Sequence, residues 1–295
     1  MRNIAPGDRP LRFVVFGESI VSDVGNPVAT SARAVLAALA EEGHEVTFQE
    51  ERGNAAYLRL LKLHGSRGAR GFAARYPRVQ CRTYDLPRGW ERTVWVGREA
   101  GTADAVIALP GTPPSLLLEL TALPSRHIVR FIDESLDIEH DGFRLVRAQN
   151  PASDLETPFG PAVQYTSRGL HRHTRPVVVA YDDMTSALRV VSQLSAGNPL
   201  LITSGLVVQP GWDYVPEIEL PDIYSQHETA IVVADDDSRW ALARHLLPIA
   251  SGCATPDLSN EMQFSTPQIP FSAEFDAMTQ ASGIIKNTRR ALLRT

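Results

Sequence analysis

Residues 11 to 49 pass from an apolar strand through a polar loop into a long helix and out into a second strand, and this order constrains the fold most. Leu11 to Phe16 is short, mostly apolar and rich in β-favouring residues, which marks a buried strand. Asn26 is a suitable N-cap and Pro27 suits the first helical position. Val28, Ala32, Val35, Leu36 and Leu39 then recur at helical spacing until Gly43 closes the helix. Glu45 to Gln49 resumes as strand. Such a unit predicts two parallel strands joined by a right-handed crossover.

The alternation repeats along the chain. A helix is expected within Ala55 to Tyr76, around AAYLRLLKLHG, then a strand over Val79 to Asp85 and a helix over Gly89 to Glu99. Ala105 to Leu109 reads as strand, PPSLLLELTAL as helix and HIVRFID as strand. NPASDLETPFGP has linker composition, which sets a first domain at residues 1 to 150 and a second at 151 to 295. The second repeats the theme: VVVAY strand, TSALRVVSQLSAG helix, PLLITSG strand, a long connection LVVQPGWDYVPEIELPDIYSQHE, TAIVVA strand and SRWALARHLLPIAS helix. A final helix is expected over IIKNTRRALLRT. The fold class that follows is α/β, with parallel sheets covered on both faces.

Composition narrows the function. No window is apolar enough to span a bilayer, and the start lacks the apolar core of a secretion signal, so the cytoplasm is the expected compartment. Cys81 and Cys253 stand alone in sequence and read as ordinary small residues rather than as a disulfide or thiolate metal site. A net charge of −5 leaves no basic footprint for a polyanion, and on that ground nucleic acid is not expected as a partner. Of the 29 basic residues 27 are arginine, a bias read as that of a GC-rich bacterial genome.

In an open α/β sheet ligands sit beyond the carboxyl ends of the strands, and the loop after the first strand is the favoured place. That loop, residues 17 to 25, supplies Gly17, Glu18, Ser19, Ser22, Asp23 and Gly25 before a helix N-terminus. The dinucleotide fingerprint G-x-G-x-x-G is absent, which argues against a Rossmann dehydrogenase. The stretch from FGESI through GNPVATSARAVLAALAEEGHEVTF resembles the start of bacterial glycosyltransferases with two Rossmann-like domains, the GT-B architecture, and in particular the spore-maturation type. ADAVIALPGTPPSLLLEL and IVRFIDES are similar to later first-domain segments of that family. LRVVSQLSAGNPLLITSG is similar to the helix, glycine-proline turn and strand that contact the donor nucleotide.

The resemblance implies two Rossmann-like domains, the second small, with a nucleotide-sugar as co-substrate, no cofactor and no metal. The implied acceptor is a small molecule or glycan bearing a hydroxyl. Glycosyl transfer needs a group to receive the acceptor proton and donors to stabilise the departing diphosphate. Glu18, Asp23 and Asp133, with Glu134 beside the last, lie at predicted strand ends and are candidate acceptor-side carboxylates. Ser19, Asn26, Thr30 and Ser31 surround the first helix start and are candidate acceptor contacts, Asn26 reading equally as a plain N-cap.

On the donor side the resemblance points to Ser204 and Gly205, and to the family's glutamate position, where this chain has Ser192. A hydroxyl there carries no charge, which weakens a ribose contact. Arg172, within HRH at 171 to 173, is a candidate for a diphosphate, and Glu217, with Trp212 and Tyr214, for a sugar pocket. Two histidines without a third ligand make a poor metal site, and DDD at 235 to 237 reads as a loop and helix cap. The expected activity is metal-independent sugar transfer. A GT-B-like module that has lost donor chemistry is the alternative, favoured by Ser192 and the short second domain. The arginine-rich last helix is expected either on the first domain or on a second copy of the chain.

Overall fold

The computed structural model describes residues 9–22, 26, 28–109, 111–123, 128–130, 172–181, 183–194, 198–204, 209–234, 244, 247, 248, 251, 253–255 and 277–292. The proposed boundary at residue 150, Asp133, Glu134 and the DDD segment lie outside them.

The first sheet joins β1 (Arg12–Gly17), β2 (Glu45–Glu51), β3 (Val79–Tyr84), β4 (Ala105–Ala108) and β5 (Ile128–Arg130) in the order β3-β2-β1-β4-β5, every pair parallel. The chain first builds leftward from β1 and then returns to its right side at β4. The β1–β4 seam is therefore the switch point, where the loops leaving the two strands diverge and open a crevice. In β1, Phe13, Val14, Val15 and Phe16 are all buried, as a central parallel strand covered on both faces demands.

One face is covered by α1 (Val28–Glu41), α2 (Ala55–His64) and α3 (Arg67–Arg75), the other by α4 (Trp90–Ala100) and α5 (Pro114–Thr121). The helix expected around AAYLRLLKLHG is α2; Gly65 at φ +55° turns the chain after it, and a second helix, α3, follows, which the sequence pattern does not separate from it. Almost every described side chain of α1 is buried, including Ala29, Ala32, Ala34, Ala37, Ala38 and Ala40. A helix apolar all round has to be covered all round. The outer cover is α8 (Ala277–Leu292), whose Ala281, Ile284 and Ile285 are buried. Alanines on the outward side of α1 leave room for that approach. The last helix thus packs on the first domain, one of the two places expected from the sequence.

The second sheet contains β6 (Val177–Ala180), β7 (Leu200–Thr203), β8 (Asp213–Tyr214) and β9 (Ala230–Val233) in the order β8-β7-β6-β9, again wholly parallel. Helix α6 (Met184–Gln193) follows β6, capped by the Asp183 carboxylate on the Ser186 N–H. The long connection after β7 is not a bare loop. It contains β8, a 3-10 turn (Glu217–Glu219) and α7 (Leu220–Gln226), and this turn packs on α3.

That contact joins the domains. Arg67 grips Glu219 through two parallel bonds of 3.0 and 2.5 Å, and Arg75 pairs with Asp222. The His64 and Tyr214 rings stack at 3.5 Å with 6° between planes. The two arginine pairs are partly exposed, so each contributes about 0–1 kcal/mol, and they set register more than they set stability.

Candidate active site

Parallel register places Gly17, the last residue of β1, opposite Glu50 of β2. Glu50 follows a buried Gln49 and is itself 2% exposed, because the loop after β1 folds over it. The Ser19 hydroxyl donates to Glu50 Oε2 at 2.8 Å and in turn accepts the Val21 and Ser22 N–H groups at 3.2 Å. Burial pushes the Glu50 carboxyl up to about 7, opposed by the Ser19 hydrogen bond. Its protonation therefore changes near neutral pH, at the carboxyl edge of the sheet.

Other described polar groups of the loop and the helix after it are also hydrogen-bonded within the protein. Asn26 Nδ2 donates to the Ser19 carbonyl at 2.6 Å, and the Ser22 hydroxyl donates to the Ala56 carbonyl at 2.6 Å. Arg33, on the buried helix α1 and 1% exposed, donates to the Ile20 carbonyl at 3.0 Å and to Thr30 Oγ1 at 3.1 Å. The structure therefore gives Ser19, Asn26 and Thr30, all buried, a different job from direct contact with an acceptor: they hold the loop in shape. Asn26 does so by closing the loop, its amide nitrogen turned back to the strand side. Asp23 lies outside the described residues, as does the side chain of Ser31.

Glu18 is the member of the predicted set that stands on the crevice rim. It is half-buried, and its Oε1 accepts the Ala56 N–H at the start of α2, at 3.3 Å. The loop after β4 comes up against it. Gly111 has φ +81°, and a Cβ there would lie 2.6 Å from Glu18 Cβ, so only glycine lets the two switch-point loops approach this closely. Thr112 fixes that second loop by donating to the Leu109 carbonyl at 2.6 Å.

The second sheet presents its own carboxyl edge. Ser204 follows β7 and donates to the Val215 carbonyl at 2.8 Å; Gly205 lies outside the described residues. Glu217 corrects its predicted role. Its side chain is fully buried and pairs with the buried Arg244 at 3.5 Å, so it has no surface to offer a sugar. Arg244 also lies 4.3 Å over the Tyr181 ring, directly after β6. Burial and the Glu217 charge together raise the Tyr224 hydroxyl beside this group.

Two further donor-side candidates sit at the wrong edge. Ser192 is in the last turn of α6, which runs antiparallel to the strands and so ends at their amino side, where its hydroxyl bonds the Arg189 carbonyl. Arg172 precedes β6, next to the His173–His227 bridge, and donates to the Ser251 carbonyl at 2.7 Å. It ties down the amino edge. Among the described residues no group of three or more His, Cys, Asp or Glu side chains is placed to hold a metal. Cys253 is a buried core thiol pushed up to about 11 by burial, and Cys81 is free and half-buried.

Sequence reasoning missed Glu50, Arg33 and Arg244. For Arg33 a signal existed, since it interrupts an otherwise small and apolar helix.

No protein-family model matches the chain, so none supports the spore-maturation type, and no curated protein matches it in sequence. Among solved structures it is similar to an alpha-glucosyltransferase in complex with UDP and a 13-mer DNA containing an HMU base. The identity is 11%, the likeness covers 96% of this chain and 92% of that one, and the TM-score is 0.50. The fold is accordingly α/β of the GT-B kind, with two parallel-sheet domains. No described helix is long and apolar enough to cross a membrane. The exclusion of nucleic acid is overturned, because a protein of this fold is held in complex with DNA. Net charge averages over the whole surface and cannot exclude a local one.

Proposed function

We propose that the protein transfers a sugar from a nucleotide-sugar to a hydroxyl-bearing acceptor. The observation that carries this reading is Glu18, a half-buried carboxylate on the switch-point crevice, beside Ser19, Ser22 and Asn26, whose side chains are hydrogen-bonded within the protein. In the step proposed, the acceptor oxygen bonds to the anomeric carbon as the bond from that carbon to the diphosphate oxygen breaks. The acceptor proton passes to Glu18, and the diphosphate leaves with the bonding electrons. The nucleotide belongs at the carboxyl edge of the second sheet, beyond β6 and β7. The similar glucosyltransferase, held with UDP and DNA, supports a uridine nucleotide as the first donor to try and admits nucleic acid among the acceptors.

Sugar release from a panel of nucleotide-sugars, with and without acceptor, tests the proposal. Glu18→Gln keeps the acceptor lone pair for the Ala56 N–H but removes the base, and a loss of about 100-fold or more in kcat is expected with an unchanged melting temperature. Unaltered turnover would remove Glu18 from the chemistry. A second reading, a binding module without donor chemistry, is favoured by the structural engagement of Ser192, Arg172 and Glu217. It predicts that no nucleotide or nucleotide-sugar raises the melting temperature even at millimolar concentration.

A further inference from the structure

The connection from Arg52 to Arg82 carries eight of the 29 basic residues and none of the 34 acidic ones. It comprises α2, α3 and the edge strand β3, so the charge is concentrated on one flank of the first sheet. Arg67 and Arg75 are used in the domain contact, and Arg52 pairs with Asp85. Arg59, Lys62, Arg70 and Arg78 are exposed and meet no carboxylate among the described residues. Four uncompensated cations on one flank of a chain with net charge −5 repel each other and gain nothing from the fold.

An aromatic anomaly stands across the β3 edge from this flank, at the start of α4 on the opposite face of the sheet. Beyond β3, at the carboxyl edge, Arg88 is exposed and Trp90 is 75% exposed, with Val94 on the next turn at 59%. Tryptophan normally buries most of its surface, and a ring left standing in water, with Arg88 two residues before it and Glu91 directly after it, has the form of a stacking platform. The Arg52–Asp85 pair links the two parts, because Arg52 leaves β2 and Asp85 leaves β3 at that edge. Cations on the α2–α3 face and an aromatic ring around the β3 edge from them suit a flexible single-stranded polyanion that rounds that edge and stacks a base on the ring.

We infer that the Arg59–Lys62–Arg70–Arg78 flank with Trp90 is a docking surface for a nucleic-acid strand, the phosphates lying along the cations and a base stacking on Trp90. This rests on the transferase reading only for its consequence, that the strand carries the acceptor hydroxyl. Docking itself needs no donor.

The test is fluorescence anisotropy of a labelled single-stranded 20-mer against the full-length protein, without nucleotide-sugar, across a salt series. Binding is expected at micromolar concentration near 0.15 M salt, weakening as salt rises with a log–log slope of about −2 or steeper. Arg59→Glu with Lys62→Glu should weaken binding about tenfold or more and make the slope shallower by about 1.4, and Trp90→Ala should weaken it about tenfold at an unchanged slope. Reversal of Arg98, exposed on α4 and paired with Glu99, should change nothing. All these positions are exposed, so an unchanged melting temperature certifies folding. Absence of oligonucleotide binding, or equal loss with Arg98→Glu, overturns the inference. So does binding to vesicles of anionic lipid in place of the oligonucleotide. Oligonucleotide binding without any stabilisation by nucleotide-sugars would instead leave the docking surface standing and remove the transferase reading.

Discussion

Replacing Glu50 by glutamine should stabilise the protein at alkaline pH and leave it nearly unchanged in acid. The carboxyl is 2% exposed, and its level of about 7 in the fold compares with 4.5 for a free side chain. Between those values the folded state holds a proton that the unfolded chain releases. Stability is therefore fully present below pH 4.5 and is lost as the pH rises to about 7. Each pH unit of difference is worth about 1.4 kcal/mol, so the window costs about 3 kcal/mol in all.

Glutamine has the shape of the protonated acid and can still accept from Ser19. It does not titrate, so the cost vanishes. Urea unfolding of both proteins at pH 4.5, 6 and 8 should give stabilities that nearly coincide at the lowest pH and differ by about 3 kcal/mol at the highest, the variant being the more stable. The reasoning is refuted if the variant is weaker by a constant amount at every pH. That result would mean that Glu50 is ionised in the fold, its burial offset by hydrogen bonds such as the one from Ser19.

Two further outcomes follow from buried or half-buried groups. Glu217→Ala should cost about 1–3 kcal/mol in chemical denaturation, because it removes a buried carboxylate from beside the Arg244 guanidinium, and Glu217→Gln, which keeps the shape and an acceptor oxygen, should cost less. His64 is held down to about 4 by burial and then by Arg67, against 6.5 when free, so the folded protein binds fewer protons between those values and loses stability as the pH falls through them. His64→Phe keeps a ring on Tyr214, and its thermal unfolding should be less sensitive to acid over that window than that of the unaltered protein.

The strands were legible in the sequence because parallel sheets bury both faces, and runs such as RFVVF, AVIAL and VVVA have no other way to be covered. Helix α1 was legible by its alanine pattern and by Gly43 at its end. The elements between β7 and β9 were not, since a two-residue strand and a single 3-10 turn carry no periodicity and exist only through packing on β7 and α3. Glu50 was hidden for a similar reason. It stands in the polar run QEER, which reads as a strand running out into water, and only the fold of the neighbouring loop over it makes it an interior acid. Ser192 failed through direction: the family likeness gave the helix, but its last turn points to the amino edge of the sheet.

The two carboxyl edges are joined by one rigid element. At the first turn of α2 the Ala56 N–H meets Glu18, and at its last residue His64 lies flat on Tyr214, the end of β8. Ten helical residues span about 15 Å, and the helix is anchored between these ends by the fully buried Leu60. From Tyr214 the backbone passes to Val215, whose carbonyl receives the Ser204 hydroxyl after β7. Helix α2 thus touches the first sheet's crevice carboxylate at one end and the second sheet's β8 at the other. The crevice carboxylate shares this helix with the second domain, although every atom of the crevice rim described above belongs to the first.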